Sequence, residues 1–407
     1  MTIDELKTYK RICIVGYAME GIATEKFIKK FHPKASITIA DAKDGPDYLD
    51  KQYDSDLVIK TPGLPKEYIK VRYTTATNLF FGNIKNKTIG ITGTKGKSTT
   101  TALVHHLFET AGIRSKLCGN IGIPMLSLLT ERHLDPADIL CIELSSYQLD
   151  DIDYSPHIGV ILNVYEEHLD YHGGLGNYVF AKQRIALHMN ENDYYLYNPN
   201  FPELKDLKIK TKAKMLPFTS RFTISDEAFL ENEMFHFDDL AAVDTIADLF
   251  DISLDTIRKS ISTFVPLPHR RELVGTYKGI RFINDSASSN PASAIFALKQ
   301  IKNVKTIILG GLDRGYDIKE LVSTLRKSSV ENVILFPDLG DKLYTHLSQK
   351  KFIVHQVDNM KDAVKQSYAL TANDSTCLLS PGAPSYNMFS GFPDRGDQFK
   401  KWVKELS

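Results

Sequence analysis

Cysteine is scarce in this sequence, and no two of its four cysteines form a CxxC pair. Neither a cysteine-based zinc site nor a disulfide framework is therefore indicated. The scattered cysteines are Cys13, Cys118, Cys141 and Cys377, and three of them lie in apolar, strand-like runs. In such runs a cysteine is expected to be a small buried side chain.

The sequence also lacks an excess of charge of either sign, because 50 basic residues are balanced by 50 acidic ones. Overall charge therefore gives no reason to expect nucleic acid or a membrane as a partner. No run approaches the roughly 20 apolar residues that span a bilayer, and the opening MTIDELKTYK has no apolar signal region. We expect a cytoplasmic protein, and a monomer because no hydrophobic association helix is evident.

At 407 residues the chain is long enough for two or three domains. Short apolar runs rich in β-branched residues alternate with helical patterns almost throughout, which predicts an α/β fold with parallel sheets. We predict a Rossmann-like N-terminal domain, a P-loop-type central ATPase domain and a Rossmann-like C-terminal domain, at 1–82, 83–266 and 267–407. The turn GYAMEG after the first strand lacks the GxGxxG spacing, so a dinucleotide site is only weakly indicated.

The stretch GITGTKGKSTT, residues 90–100, has the composition of a phosphate-binding loop between a strand and a helix. Glycines let backbone N–H groups turn toward phosphate, a lysine reaches the β- and γ-phosphates, and a hydroxyl binds Mg²⁺. Only two residues separate the glycines, against four in the usual motif. The strand before the loop and the helix after it nevertheless predict an ATP site, formed by Gly93, Thr94, Lys95, Gly96, Lys97, Ser98 and Thr99.

Two further residues follow predicted strands of the same block. Glu143 ends the strand in CIELSSYQLD, and His168 lies beyond the strand in NVYEEHLDYH. Ligands of open α/β sheets bind at the carboxyl ends of the strands. A carboxylate and an imidazole at that edge could bind a metal or orient a substrate.

Taken in order, these motifs resemble the Mur ligase family, and within it the type that adds glutamate. GTKGKSTTT resembles the phosphate loop of the family, GNIGIP its GNIG turn, ELSSYQL its ELSSFQL signature and NVYEEHLD its NVTEDHLD segment. YVFAKQRI, LPHRRE, INDSASSN, LGGLDRG and LLSPGAPSYNMFSGFPDRGDQF are similar to later motifs. The resemblance covers the whole chain.

The resemblance implies an ATP-dependent amide ligase of peptidoglycan precursor synthesis. It implies that UDP-N-acetylmuramoyl-L-alanine and glutamate are the substrates, that Mg²⁺ is required, and that the reaction passes through an acyl phosphate. D-glutamate is favoured, and L-glutamate stays open as the second amino acid. The sequence is also compatible with a folylpolyglutamate synthase-like ligase, a P-loop kinase or ATPase, and a nucleotide-binding protein without activity.

The resemblance also assigns residues to roles. The catalytic set would be Lys97, Glu143, His168 and Lys182, and the Mg²⁺ ligands would be Ser98, Glu143, His168 and a carbamylated Lys182. Besides the loop, Arg270 and Asp285 would contact ATP. The UDP substrate would contact Gly16, Asp41, Pro62, Gly63, Asn120, Gln148 and His168, and glutamate would contact Ser289, Arg314, Ser385 and Phe392.

The sequence departs from the family pattern at several of these places. FHFDDLAAV replaces an asparagine-rich segment that often meets adenine, which leaves Asp238 or its neighbours as substitutes. Ala287 replaces a lysine, Ser289 a threonine, and Arg314 a lysine, while Ser385 is retained within SPGAPS. Arginine and lysine differ in how they bind carboxylates. We therefore expect a glutamate site that differs in its contacts.

Overall fold

The computed structural model describes residues 1–131, 134–222, 235–347 and 351–407. These residues form three β-sheets in which helices connect parallel strands. The predicted α/β class is therefore confirmed. The described residues up to Phe264 form one compact unit, and Val265–Ser407 belong to a second. The predicted boundary at residues 82 and 83 lies within the first unit and stays a prediction. No helix in the described ranges has the length and apolar character that crossing a bilayer requires.

The N-terminal sheet has four parallel strands in the order β2-β1-β3-β4. Strand β1 is buried because the sheet is covered on both sides, which explains its continuous apolar run. The strands are β1 Arg11–Val15, β2 Ser36–Ala40, β3 Leu57–Lys60 and β4 Tyr73–Thr75, and the helices are α1 Ile3–Leu6, α2 Met19–Phe31 and α3 Ala76–Phe81. Short 3₁₀ segments occupy Ala42–Asp44, Tyr48–Asp54 and Lys66–Tyr68.

The central sheet has six parallel strands in the order β10-β9-β8-β5-β7-β6. Its strands are β5 Thr88–Thr92, β6 Ser115–Gly119, β7 Ile139–Glu143, β8 Ile158–Ile161, β9 Tyr194–Tyr197 and β10 Lys214–Pro217. Because β5 lies between β7 and β8, the segments that follow these three strands meet at one edge.

The helices of the central region begin with α4 Lys97–Thr110, whose first turn contains the last residues of the predicted phosphate loop. The others are α5 Met125–Thr130, α6 Ser146–Leu149, α7 Leu169–His172, α8 Leu175–Gln183, α9 Pro202–Lys205, α10 Phe237–Asp248 and α11 Leu254–Thr263, with a 3₁₀ segment at Arg184–Ala186.

The C-terminal sheet has the order β11-β12-β16-β13-β14-β15, and only its edge strand β11 is antiparallel to its neighbour. Helices α12–α14 contribute to the core on one face of the sheet, and α15 and α16 contribute to the core on the other. The strands are β11 Glu272–Tyr277, β12 Ile280–Asn284, β13 Val304–Gly311, β14 Asn332–Asp338, β15 Ile353–Gln356 and β16 Ser375–Leu379. The helices are α12 Pro291–Gln300, α13 Lys319–Lys327, α14 Leu339–Leu347, α15 Met360–Leu370 and α16 Phe392–Glu405.

A buried ion pair joins the N-terminal sheet to the central region. Lys60, the last residue of β3, places its Nζ 2.7 Å from Oδ2 of Asp151, and both side chains are almost completely inaccessible to water. The Lys60 ammonium also donates to the carbonyl oxygen of Leu64, and the Tyr73 hydroxyl donates to the other oxygen of Asp151. These contacts fix the end of β3 against the segment that follows α6.

The segment TTATNLFF completes this connection. All six residues of α3 are buried, and Thr75 caps the helix by accepting from the backbone N–H of Asn78. The Asn78 side chain donates to the carbonyl oxygen of Asp151 and to the carboxylate of Asp153. Residues that follow the N-terminal sheet therefore form part of a packed core.

We predict that Lys60 and Asp151 are energetically coupled, so that replacing one of them destabilises the protein more when the other is still present. Asp151→Leu leaves a buried ammonium without its carboxylate, and we expect a loss of about 3–5 kcal/mol. The double variant Lys60→Met, Asp151→Leu should lose clearly less free energy of unfolding than the two single variants lose together. The free energy is measured by urea denaturation, from the transition in which the N-terminal sheet unfolds.

The exposed pair Lys7–Asp4 is the matched control, because its side chains are 50% and 94% exposed. Lys7→Met should change stability by no more than about 1 kcal/mol. Additive effects at Lys60 and Asp151 would contradict the prediction.

Candidate active site

The predicted phosphate loop connects β5 to α4 at the middle of the central sheet. Gly96 has a φ of +83°, and a Cβ there would lie 2.3 Å from Oδ1 of the buried Asp239. Both the backbone conformation and the close carboxylate therefore require glycine at this position. Ser98 and Thr99 follow in the first turn of α4, where backbone N–H groups have no partner within the helix.

Asn163 holds the two residues that lie between the glycines. Its Oδ1 accepts from the backbone N–H groups of Thr94 and Lys95 at 3.1 and 2.8 Å, and its Nδ2 donates to the carbonyl oxygen of Lys95. Asn163 follows β8, which pairs with β5. This residue was not among the predicted site residues, although the rule on strand ends that drew attention to Glu143 and His168 applies to it equally.

Two lysines converge on one backbone oxygen of the loop. The Nζ atoms of Lys97 and Lys182 each lie 2.9 Å from the carbonyl oxygen of Gly93. Lys97 also donates to the carbonyl oxygen of Thr94. Lys182 is completely buried, and this burial together with the charge of Lys97 lowers its pKa well below the usual value for lysine. The structure thus brings two residues of the predicted catalytic set together.

Glu143 ends β7 beside this loop and is 1% exposed. Its Oε1 accepts from the side-chain amide of Asn120 at 3.0 Å, and its Oε2 is buried without a hydrogen-bond partner. The close approach of the GNIG turn explains the first contact, because a Cβ at Gly119 would lie 2.3 Å from the Glu143 carbonyl oxygen. A buried carboxylate oxygen without a partner is the kind of atom that a cation would satisfy.

The described residues include no group of three or more His, Cys, Asp or Glu side chains placed to hold a metal ion. Glu143 with a serine hydroxyl is nevertheless a donor set that suits Mg²⁺, which usually binds one or two carboxylates and completes its shell with phosphate and water oxygens. The residues present therefore fit Mg²⁺ in combination with ATP. That they bind it stays a prediction.

His168 precedes α7 and has a left-handed backbone conformation with a φ of +56°. Its ring packs against Tyr147 at a centroid distance of 4.9 Å. Desolvation lowers the pKa of the imidazole, the neighbouring Glu167 opposes this effect, and Lys97 reinforces it. Glu167 forms an ion pair of 3.1 Å with Lys95, another contact that was not predicted from the sequence.

The predicted UDP-binding turns belong to the same compact unit. The hydroxyl of Tyr171 lies 3.1 Å from the carbonyl oxygen of Pro62, which places the turn with Pro62 and Gly63 against α7. Gly16 has a φ of +89°, and a Cβ there would meet the Thr61 hydroxyl at 2.1 Å. The two predicted turns, Gly16 and Thr61–Gly63, are therefore neighbours.

Asp41 uses its carboxylate within its own turn. One oxygen accepts from the backbone N–H of Tyr17 and the other from that of Lys43, and these hydrogen bonds lower the pKa of Asp41. These contacts give Asp41 a role in the turn that does not depend on a ligand. A contact with the UDP substrate stays a prediction.

Gln148 completes a capping box with Ser145 at the start of α6. Its side chain also lies near Glu20 of α2, whose pKa is raised to about 7 by burial despite the neighbouring Gln148 and the charge of Lys60. Sequence reasoning missed Glu20, because nothing in GYAMEG indicates that the segment would face the central region.

Asp238, the expected substitute for an adenine contact, accepts from the side-chain amide of Asn198 at 2.8 Å. His236 caps the same helix, α10. These contacts order the segment FHFDDLAAV without indicating which residue meets adenine.

In the second unit, most of the remaining predicted residues follow β12, β13 or β16, whereas Arg270 precedes β11 and Phe392 begins α16. Asp285 is buried, accepts from the hydroxyl of Ser380 at 2.8 Å, and has a pKa raised to about 6 by burial. The charge of Arg270 acts on the same carboxyl group, so these two predicted ATP contacts lie near each other. Arg270 itself is exposed.

The four predicted glutamate contacts differ in exposure. Ser385 is buried, whereas Ser289, Arg314 and Phe392 are exposed. The hydroxyl of Tyr316 donates to the carbonyl oxygen of Ser289 and so connects that loop to the one with Arg314.

A fully buried guanidinium lies beneath these loops. Arg395 donates to the hydroxyl and carbonyl oxygens of Ser286 and to the carbonyl oxygen of Ala383. Burial lowers its pKa to about 9, against the nearby charge of Asp285. Arg395 therefore holds the loops after β12 and β16 together.

Two family models match the chain. The Mur ligase middle domain matches residues 91–265, and the glutamate ligase domain of Mur ligases matches residues 269–383. A UDP-N-acetylmuramoylalanine–D-glutamate ligase of Listeria monocytogenes is 30% identical, covering 99% of this chain and 98% of that protein. A ligase of the same name from Bacteroides thetaiotaomicron is 33% identical over 87% of this chain and 86% of its own length.

Solved structures share the fold at low identity. The UDP-N-acetylmuramate–alanine ligase MurC of Thermotoga maritima has a TM-score of 0.61 at 16% identity, covering 97% of this chain and 99% of that one. The MurF ligase of the same organism, in complex with ADP, has a TM-score of 0.62 at 15% identity, covering 97% and 95%. With a relative at 30% identity over nearly its whole length and models that match its central and C-terminal parts, the chain belongs to the Mur ligases, the ATP-dependent ligases of peptidoglycan synthesis.

Proposed function

We propose that the protein joins D-glutamate to UDP-N-acetylmuramoyl-L-alanine. The observation that carries the proposal is the convergence of Lys97 and Lys182 on the Gly93 carbonyl oxygen, beside a buried Glu143 with one unsatisfied oxygen. Such a site can receive a nucleotide phosphate and a cation together. The choice of D-glutamate rests on the names of the relatives from Listeria and Bacteroides.

The reaction follows from the chemistry of the two substrates. A carboxylate does not condense with an amine at neutral pH, because O⁻ is a poor leaving group. In the proposed mechanism the alanyl carboxylate attacks the γ-phosphorus of ATP, ADP leaves, and the glutamate amine then displaces phosphate from the acyl phosphate. Several anions meet in these steps, so fixed positive charge is required. Lys97, released from the Gly93 carbonyl oxygen, is placed to supply it to the phosphates.

Ser98, Glu143, His168 and a carbamylated Lys182 would hold Mg²⁺, which when bound neutralises phosphate charge. Carbamylation needs a neutral amine, and burial of Lys182 favours that form. The roles of Arg270 at phosphate, Asp285 at ribose, and Ser289, Arg314, Ser385 and Phe392 at glutamate are proposed on the resemblance. Action as a monomer is likewise a proposal.

A folylpolyglutamate synthase-like activity has no comparable support. A bifunctional folylpolyglutamate synthase of Yersinia pestis shares the fold with a TM-score of 0.58 at 15% identity, covering 79% of this chain. Similarity at this level concerns the fold alone.

The substrate proposal is tested by measuring phosphate release from ATP with UDP-N-acetylmuramoyl-L-alanine and either D- or L-glutamate. We expect D-glutamate to be used at least about 100-fold better than L-glutamate, and near-background release without an amino acid. Lys97→Ala should be inactive with both isomers. Preference for L-glutamate would overturn the stereochemical part, and release that does not depend on an amino acid would indicate a simple ATPase.

Carbamylation of Lys182 predicts that activity depends on bicarbonate. Removal of CO₂ should lower the rate, and added bicarbonate should restore it. Because the reactive form is the neutral amine, the response should weaken as the pH falls through the lowered pKa of Lys182. Lys182→Arg should lose roughly 100-fold or more of the activity and all response to bicarbonate. The exposed Lys212, changed to arginine, is the control, and a bicarbonate response in Lys182→Arg would exclude this residue as the site.

Asn163 is expected to set the affinity for ATP. Asn163→Ala removes three hydrogen bonds to Thr94 and Lys95, and we expect the KM for ATP to rise about tenfold as the loop loses its fixed conformation. Asn177→Ala is the matched control, since this side chain donates to the carbonyl oxygen of His172 instead of to the loop. An unchanged KM for ATP in Asn163→Ala would show that the loop orders without this contact.

A further inference from the structure

A groove lies in the C-terminal unit between helices α13 and α14. It has a volume of about 550 Å³, and it is separate from the loops that carry the predicted ATP contacts Arg270 and Asp285. Most of the polar side chains that line it are basic: Lys319, Arg326, Lys327, Lys342 and His346. For a chain with no net charge, this is a local concentration of positive charge.

The positive charge of the groove is largely uncompensated. Within the described ranges, Lys319, Arg326 and Lys327 form no ion pair with a carboxylate. Among the described residues that line the groove, Asp317 is the one acidic residue, and it accepts from the backbone N–H of Lys319 at the start of α13. Arg326 donates to the carbonyl oxygen of His346, which leaves its charge unpaired.

The number and placement of these cations indicate the charge of the ligand. Lys319 and Arg326 are seven residues apart on α13, which places them on the same face of the helix. With Lys327 and Lys342 they bring four lysine and arginine side chains to one groove, so a ligand with two or more phosphoryl groups matches their charge better than a single phosphate does. The buried side chains of Ile318 and Val322 form an apolar part of the lining.

Lys342 of α14 lines the groove and also contacts the loop that carries Arg314. Its Nζ donates to the carbonyl oxygen of Tyr316 at 2.6 Å and lies 3.4 Å from a carboxylate oxygen of Asp313. The other oxygen of Asp313 accepts from the backbone N–H groups of Gly315 and Tyr316. Lys342 thus helps to fix the conformation of residues 313–316.

We propose that the groove binds a small molecule with two or more phosphoryl groups, and that this ligand weakens glutamate binding by drawing Lys342 away from the Arg314 loop. A phosphoryl group in the groove competes with the Tyr316 carbonyl oxygen and Asp313 for the same ammonium group. Once the Lys342 ammonium group no longer contacts Tyr316 and Asp313, residues 313–316 can change conformation. The hydrogen bond from the Tyr316 hydroxyl to the carbonyl oxygen of Ser289 then transmits this change to the loop with Ser289. The binding part stands by itself, and the regulatory part rests on the proposed role of Arg314 and Ser289 in binding glutamate.

Binding is tested by calorimetric titration of the full-length protein with inorganic pyrophosphate in the presence of EDTA. A Lys97→Met background weakens binding at the phosphate loop. In this background we expect one equivalent of pyrophosphate to bind, and Arg326→Gln, Lys327→Gln to weaken binding at least tenfold. The matched control is Lys365→Gln, Lys404→Gln, which removes the same charge from α15 and α16 on the opposite face of the sheet and should leave binding unchanged.

Equal affinity in the groove variant and the control, or no binding in the Lys97→Met background, would overturn the proposal. An equal loss of pyrophosphate affinity in both double variants would show that the overall charge of the protein attracts the anion, and it would overturn the proposal as well. Tighter binding of duplex DNA than of pyrophosphate, lost in the groove variant alone, would replace the small-molecule ligand with nucleic acid.

Regulation is tested in the ligase assay with free Mg²⁺ and ATP held constant and saturating. Pyrophosphate should raise the KM for glutamate several-fold in the unmodified protein and in the Lys365, Lys404 control, and should have no such effect in the Arg326, Lys327 variant. Lys342→Met should raise the KM for glutamate without pyrophosphate and leave the KM for ATP unchanged. An unchanged KM for glutamate in Lys342→Met would refute the coupling. If the protein shows no glutamate-dependent turnover at all, the proposed function fails, while the calorimetric result on the groove stands.

Discussion

The carbonyl oxygen of Gly93 accepts from two lysine ammonium groups, and the candidate site is organised around this contact. Two like charges at one acceptor repel each other, which favours the neutral form of the more buried amine. Burial does this at Lys182, whose pKa is lowered, whereas Lys97 is nearer to solvent at the start of α4. The difference in environment gives two identical side chains different chemistry: Lys97 can meet phosphate as a cation, and Lys182 can react as an amine.

Much of this site could be predicted from the sequence, because the ends of strands can be recognised where apolar runs end. The glycines of the loop, Glu143 and His168 lie at or beyond the ends of apolar runs that do form β5, β7 and β8, and parallel strands bring their carboxyl ends together. What the pattern does not contain is the partner of each group. Asn163 was not predicted, because its hydrogen bonds to Thr94 and Lys95 depend on β8 lying next to β5.

The contacts that were least predictable join segments far apart in the sequence. Lys60 reads as a polar residue at the end of a strand, and only the folded chain shows that it is buried against Asp151. Glu20 likewise reads as a solvated residue in the first turn of a helix, yet burial beside Gln148 raises its pKa to about 7. The sequence pattern of one helix or strand shows which of its residues face the core. The charge state of a residue such as Lys60 or Glu20 depends instead on which groups a second helix or strand places beside it.

The two cationic regions of the protein use lysine in the same way. Lys97 donates to the carbonyl oxygens of Gly93 and Thr94, and Lys342 donates to that of Tyr316. A carbonyl oxygen carries only a partial charge, so a phosphate oxygen is a stronger partner for an ammonium group. A phosphate that arrives can therefore take over the lysine, and the loop that loses the lysine loses part of its support. At the phosphate loop this exchange would accompany the proposed binding of ATP, and near Arg314 the same exchange would make the conformation of the glutamate loop depend on an anion bound in the groove.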